Sequence, residues 1–211
     1  MKITKFVHSC LLVETPEHVG IFDPGRFSWE SGLFNVAQLK RLDEIIITHE
    51  HEDHMFVPFI EALCRKFPEA TIITTPAAAV KLAEAGIKNI QTQGNGQAVL
   101  FATAHESINP LGQTPEHIGV HYADKLTHPG DSHHFTETKE ILALPVTAPW
   151  GGMMAAAALG AALKPRYIIP IHDWHWNEQA RAGAYARLQA FFKEQDITFI
   201  AIKDGEAVEI A

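Results

Sequence analysis

The chain reads as a layered α/β domain, because strand-like apolar runs crowd its first part and strands then alternate with helical segments. Runs at residues 3–7, 10–14 and 19–22 predict short strands, the last two parted by the turn-like Thr15-Pro16-Glu17-His18. Asp23-Pro24-Gly25 is a turn cluster, and residues 33–41 are weakly helical. Residues 44–48 (EIIIT) form a β-branched run that predicts a buried strand. Phe56, Phe59, Ile60, Leu63 and Phe67 recur at helical spacing and predict a helix over 56–67, ending before Pro68. Residues 71–75 (TIITT) predict another strand. An alanine-rich helix opened by Pro76 then runs to Ala85, with Gly86 as its stop. Residues 98–104 predict a strand, 151–163 a helix, 167–171 a strand and 180–195 a final helix. Residues 197–202 and 207–210 are expected to pair as a terminal hairpin around Asp204-Gly205.

A length of 211 residues suits one substantial core, so residues 1–211 are taken as a single domain. Hydrophobic content of 46% and charged content of 20% are those of a globular protein. A net charge of −8 lacks the basic footprint of a nucleic-acid binder. It leaves room for a small anionic substrate, since a metal centre inverts the field locally. No apolar run is long enough for a bilayer, so no membrane insertion is expected. The N-terminal apolar stretch is broken by His8 and Ser9, and no small-residue cleavage site follows, so a cytoplasmic location is expected. Cys10 and Cys64 do not imply a disulfide framework.

The unusual count is 13 histidines. His18, His117, His121 and His128 fall in no strong motif and read as surface or turn residues. The segment His49-Glu50-His51-Glu52-Asp53-His54, leaving the EIIIT strand, is different. In extended chain alternate side chains share a side, so His49, His51 and Asp53 converge while His54 swings the other way. Four donors split between two directions suit a pair of metals, zinc first, with manganese or iron also suited to imidazole and carboxylate. Glu50 and Glu52 fill the variable places and read as solvated.

H-x-H-x-D-H after a β-branched strand resembles the signature of the metallo-β-lactamase superfamily. Phe6-Val7-His8-Ser9 with Ile21-Phe22-Asp23-Pro24, Thr103-Ala104-His105, Gly130-Asp131-Ser132 and Ile168-Ile169-Pro170-Ile171-His172 match further family elements in the same order. The resemblance spans essentially the whole chain and implies an α+β fold, a four-layer αββα sandwich. It is nearest to the short branch of L-ascorbate-6-phosphate lactonase-like and phospholipase D-like hydrolases, through His8-Ser9, Thr103-Ala104-His105 and Leu144-Pro145 with Trp150-Gly151-Gly152. It implies two divalent ions, one held by His49, His51 and His105, the other by Asp53, His54 and His172, with Asp131 bridging. The implied function is a hydrolase in which a hydroxide between two metals cleaves an ester-type bond, a lactone or a phosphodiester, of a small anionic substrate. Asp53 would be catalytic, orienting the nucleophile and passing its proton to the leaving group.

Some positions stay open at this level. His175 competes with His172, and His133 and His134 flank Asp131 as pocket-wall or solvent residues. Asp173 is either a partner for a ligand imidazole or a solvated turn residue, and His8 and Asp23 are candidates for the same supporting role. Trp150 and Trp174 are candidates for pocket walls. Two other readings compete with hydrolysis: an oxidoreductase resembling the persulfide dioxygenases, with one iron and Asp53 unligated, and a non-catalytic metal-binding protein.

Overall fold

The computed structural model describes residues 1–211. The chain forms two compact units, residues 1–94 with 202–211, and residues 95–201. In the first, β1 (Lys2–Lys5), β2 (Leu11–Glu14), β3 (Val19–Phe22), β4 (Glu44–Ile46), β5 (Thr71–Ile73), β6 (Ile90–Gln91) and the C-terminal β13 (Ala207–Glu209) make one sheet in the order β13-β1-β2-β3-β4-β5-β6. The β1, β2, β3 and β13 pairings are antiparallel, whereas β3 to β6 run parallel. Parallel neighbours require crossovers. Between β4 and β5 the crossover is α2 (Val57–Lys66) and between β5 and β6 it is α3 (Pro76–Glu84), which insert Phe59, Ile60, Leu63, Ala78 and Leu82 among Ile21, Ile45, Ile47 and Ile72. Thr75 caps α3 by accepting the Ala78 N–H at 3.2 Å, and Gly86 takes φ +81° just beyond its end.

The second unit carries β7 (Ala98–Ala102), β8 (Ile118–Tyr122), β9 (Leu126–His128), β10 (Ile141–Pro145), β11 (Tyr167–Ile171) and β12 (Thr198–Phe199), ordered β12-β11-β10-β9-β8-β7. The crossover between parallel β10 and β11 is α4 (Met153–Leu163), and α5 (Glu178–Lys193) leads to β12. Gly160 on α4 lets the two helices meet, since a Cβ there would fall 2.7 Å from the Phe192 ring of α5. Leu142, Leu144 and Ile168 pack with Tyr185, Leu188 and Phe192. Each such side chain contributes about 1.5–3 kcal/mol over its exposed state.

Three expectations are corrected. Residues 197–202 and 207–210 do not form a hairpin: β12 pairs parallel with β11, and β13 pairs antiparallel with β1. Asp204-Gly205 is anchored on Lys5 instead, through Gly205 N–H to Lys5 O at 2.7 Å and Lys5 Nζ to Asp204 at 2.6 Å. The helical segment at 33–41 shrinks to a 3-10 turn, Val36–Gln38, because Lys66 draws out the carbonyls of Val36, Ala37 and Leu39 at 2.5–2.8 Å. A short helix, α1 (Arg26–Glu30), forms before it. Strands β6, β8, β9 and β10 were not foreseen from the pattern, β8 and β9 because histidines interrupt their apolar runs.

No helix is long and apolar enough to cross a membrane. Both cysteines are free; Cys10 lies in the core, where burial pushes its thiol far up, and burial likewise raises that of Cys64.

Candidate metal centre

In the first unit the donors hang on a loop whose shape follows from Asp23. The β4 strand ends at Ile46, two residues sooner than its β-branched run predicts. The reason is that Thr48 N–H is captured by Asp23 Oδ1 at 2.8 Å instead of a ladder carbonyl. The segment from Thr48 to His54 then coils through turns, with His54 and Met55 both donating to the carbonyl of His51. The expected alternation of an extended chain is therefore wrong for this segment: His49 and His54 lie together, ring centroids 4.1 Å apart. The loop can lie close to residues 23–26 because residue 25 is glycine; a Cβ there would stand 1.7 Å from Asp53 O.

Hydrogen bonds fix which nitrogen each ring presents. His54 donates from Nδ1 to Asp23 Oδ2 at 2.8 Å, and its Nε2 faces Asp53 Oδ2 at 3.8 Å. The hydroxyl of Thr48 donates to Asp23, so His49 Nδ1 donates to that hydroxyl at 3.1 Å. His49 Nε2 is thereby turned toward His51 Nδ1, also at 3.1 Å. His8 is fully buried and donates from Nε2 to Asp53 Oδ2 at 3.2 Å. His8 and Asp23 hold φ of 70° and 43°, left-handed values that cost non-glycine residues about 1–3 kcal/mol and concentrate at functional sites.

In the second unit His105, Asp131 and His172 come together although the outer two stand 67 positions apart in the chain. His105 donates from Nδ1 to Glu106 O at 2.6 Å, and His172 from Nδ1 to Thr147 O at 2.6 Å. Their Nε2 atoms converge on one oxygen, Asp131 Oδ2, at 3.5 and 3.1 Å. All three residues are almost wholly buried. His172 sits directly after β11 with φ 59°, and Gly130, with φ 59°, makes the turn that delivers Asp131. The half-buried Trp150 ring lies 5.1 Å from His172 and 6.1 Å from His105.

Other sequence candidates fall elsewhere. His175 and Trp174 are exposed. Asp173 is not a solvated turn residue: it is buried, accepts the Tyr185 hydroxyl and lies 3.3 Å from Arg181 Nε, anchoring α5. Glu50 pairs with Lys81 at 3.0 Å and Glu52 with Arg26 at 2.8 Å, so neither is merely solvated. His133 donates from Nε2 to Pro145 O, while the exposed His134 meets Glu106 at 3.1 Å. The surface-or-turn reading of the four unassigned histidines fits the placement of His18 and of His117, half-buried in a loop, but not that of His121 or His128. His128 is fully buried in β9, His121 stacks on Phe101 in β8, and His117 bonds the backbone of Asp131. His117 reaches a partner 14 residues away and His121 a ring 20 residues away, which local motifs do not reveal.

The donor set tests well for a divalent metal. Four imidazoles, those of His49, His54, His105 and His172, are held through Nδ1 and present Nε2, as ligating histidines are held by outer partners. A neutral ring so held turns a lone pair toward the anionic Asp131 Oδ2, an arrangement that a cation between the two favours. A family model described as the beta-lactamase superfamily domain matches residues 2–172, a span that contains every one of these residues. The chain belongs to the beta-lactamase superfamily. Within that superfamily it is 32% identical over 200 residues to Protein Rv0786c of Mycobacterium tuberculosis, covering 89% of this chain and 91% of that one. It is 25% identical over 193 residues to the UPF0173 protein PF0020 of Pyrococcus furiosus, covering 84% and 86%. Among solved structures, Igni18, a metallo hydrolase of the archaeon Ignicoccus hospitalis, superposes with a TM-score of 0.70 at 20% identity, covering 98% and 97%. The two sheets with their helices are thus the metallo-β-lactamase fold, as the sequence predicts.

Proposed function

We propose that this superfamily member is a dinuclear hydrolase that cleaves an ester-type bond, a lactone or a phosphodiester, in a small anionic substrate. The observation that carries the reading is the common orientation of four histidines, Nδ1 held and Nε2 presented. The ligand set is His49, His51, Asp53, His54, His105, Asp131 and His172, and zinc suits it first. When bound, such a pair of cations makes a water acidic enough to attack near neutral pH and stabilises the oxygen on which charge develops.

The protein's own residues supply the rest. Asp23, through His54 and Thr48, keeps the first loop in one conformation, so little ordering is left for the moment of binding. Asp53 is partly exposed, with its side chain 27% accessible, and His8 holds one carboxylate oxygen. That leaves it placed to orient a water and then hand a proton to the leaving group. Trp150 shields His105 and His172 and offers an apolar wall to the substrate. Two dications outweigh the carboxylates of Asp53 and Asp131, so the loaded centre attracts an anion although the chain carries −8. The acidic chain speaks for a small-molecule substrate over nucleic acid.

The test is metal analysis after reconstitution with zinc, manganese and iron, followed by a screen of lactones, phosphodiesters and thioesters. About two equivalents of metal and turnover of an anionic ester are expected. A protein that keeps only a trace of every metal refutes the reading; one iron with thiol-dependent oxygen uptake replaces hydrolysis with oxidation.

A further inference from the structure

His117 stands just before β8, the strand that pairs antiparallel with both β7 and β9. Its position therefore lies beside the ends of those two strands, which lead to His105 and to Asp131 respectively. The ring joins the two exits. Its Nε2 accepts the Asp131 N–H at 3.0 Å, and its Nδ1 donates to Thr103 O, two residues before His105, at 3.3 Å. A backbone N–H can only donate, so the bond to Asp131 fixes the tautomer with the proton on Nδ1, and the Thr103 carbonyl is the matching acceptor. The His105 ring meets the His117 ring edge-on at 5.7 Å. Asp131 is also tethered through its own carbonyl, which accepts Glu106 N–H at 2.9 Å. Its backbone is thus gripped at both polar groups, and the ring of His117 supplies the grip on the N–H side.

We propose that His117 is a positioning residue for the metal centre, setting the spacing of His105 and Asp131 by bridging the loops that bear them. The inference rests on the metal-binding reading above. The Thr103–Ser132 hydroxyl pair and the His133 N–H bond to Glu106 also tie the two loops, but only the His117 bond reaches the Asp131 N–H itself among these, and imidazole suits the task because it accepts at one edge and donates at the other. Partners of this kind typically set metal affinity by 10–100-fold when removed.

The experiment titrates metal-free protein with zinc chloride against a competing chelator, for wild type, His117→Ala, His117→Gln and His117→Phe, with the melting temperature of each metal-free protein alongside. Glutamine restores an acceptor for Asp131 N–H, whereas phenylalanine restores only the ring's bulk. His117→Ala and His117→Phe are expected to bind zinc 10–100-fold more weakly, and His117→Gln to recover most of that loss. Should the alanine variant fail to fold, the glutamine and phenylalanine pair decides the matter. Equal zinc affinity in those two overturns the proposal, as does a fall in metal-free melting temperature that accounts for the whole change. Wild-type protein that binds no zinc, manganese or iron overturns the metal-binding reading itself, and the proposal with it.

Discussion

Gly25→Ala tests how closely the loop that carries the candidate donors must lie against the turn before it. The added methyl would sit 1.7 Å from Asp53 O, 2.2 Å from Asp53 C and 2.8 Å from His54 N, all backbone atoms that no rotamer change can move. Reaching the 3.4 Å of ordinary contact asks the loop to retreat by about 1.7 Å. A retreat of that size breaks the Arg26 N–H bond to Glu52 O, now 2.8 Å, and lengthens the His54–Asp23 bond. Overpacking costs about 1–3 kcal/mol and a lost backbone hydrogen bond about 0.5–1.5 kcal/mol, so a destabilisation of roughly 2–4 kcal/mol is expected. For a chain of this size that corresponds to a melting temperature lower by about 4–16 °C. Urea unfolding followed by circular dichroism gives the first figure, a thermal scan the second, and metal analysis should show a loss of bound zinc beyond either. A variant within about 0.5 kcal/mol of wild type that keeps its metal refutes the argument, because the loop would then have room the structure denies it.

Three further outcomes are expected. His172→Ala should lose metal and nearly all turnover while His175→Ala keeps both, since only His172 is buried and presents Nε2 to Asp131; metal analysis of the two variants reverses the assignment if they behave the other way round. Asp204→Ala removes the carboxylate 2.6 Å from the fully buried Lys5 ammonium, and breaking such a pair costs about 3–5 kcal/mol, nearer the low end because Asp204 is partly exposed; an unchanged urea midpoint contradicts this. Burial, and then the charge of Lys139, hold the His121 imidazole below its ordinary value of 6.5. The unfolded chain therefore takes the proton first, so this stabilisation is complete above about pH 6.5 and is lost as pH falls through the lowered folded value. His121→Phe should flatten that part of the pH dependence of the unfolding midpoint, and an identical slope in the variant argues against it.

Candidate metal donors were legible in the sequence wherever they are packed into a few residues. His49 to His54 declare themselves through composition alone, because four metal-binding side chains within one short segment have little structural use otherwise. His105, Asp131 and His172 were reached only by resemblance to a family, since each stands alone in its own stretch of chain. The supporting cast was legible only in part. Asp23 and His8 are candidates for that role in the sequence, but nothing local shows that Asp23 redirects Thr48 and so ends β4 early. His117 reads as a surface residue, yet its bond reaches 14 positions along the chain to Asp131.

What the sequence by itself determined is what local physics controls. Helices α2 and α3 begin and end where proline, threonine and glycine dictate, and the β-branched runs at 44–48 and 71–75 became strands, each two residues shorter than the run. What only the tertiary structure decided are the choices that depend on a distant partner. The last two strands leave each other for β11 and β1, because a strand's backbone bonds can be satisfied by any edge and the fold decides which edge lies within reach. The orientation of each ligand imidazole is decided in the same way, since Nδ1 and Nε2 are chemically alike until a carbonyl, hydroxyl or carboxylate brought in by the fold claims one of them.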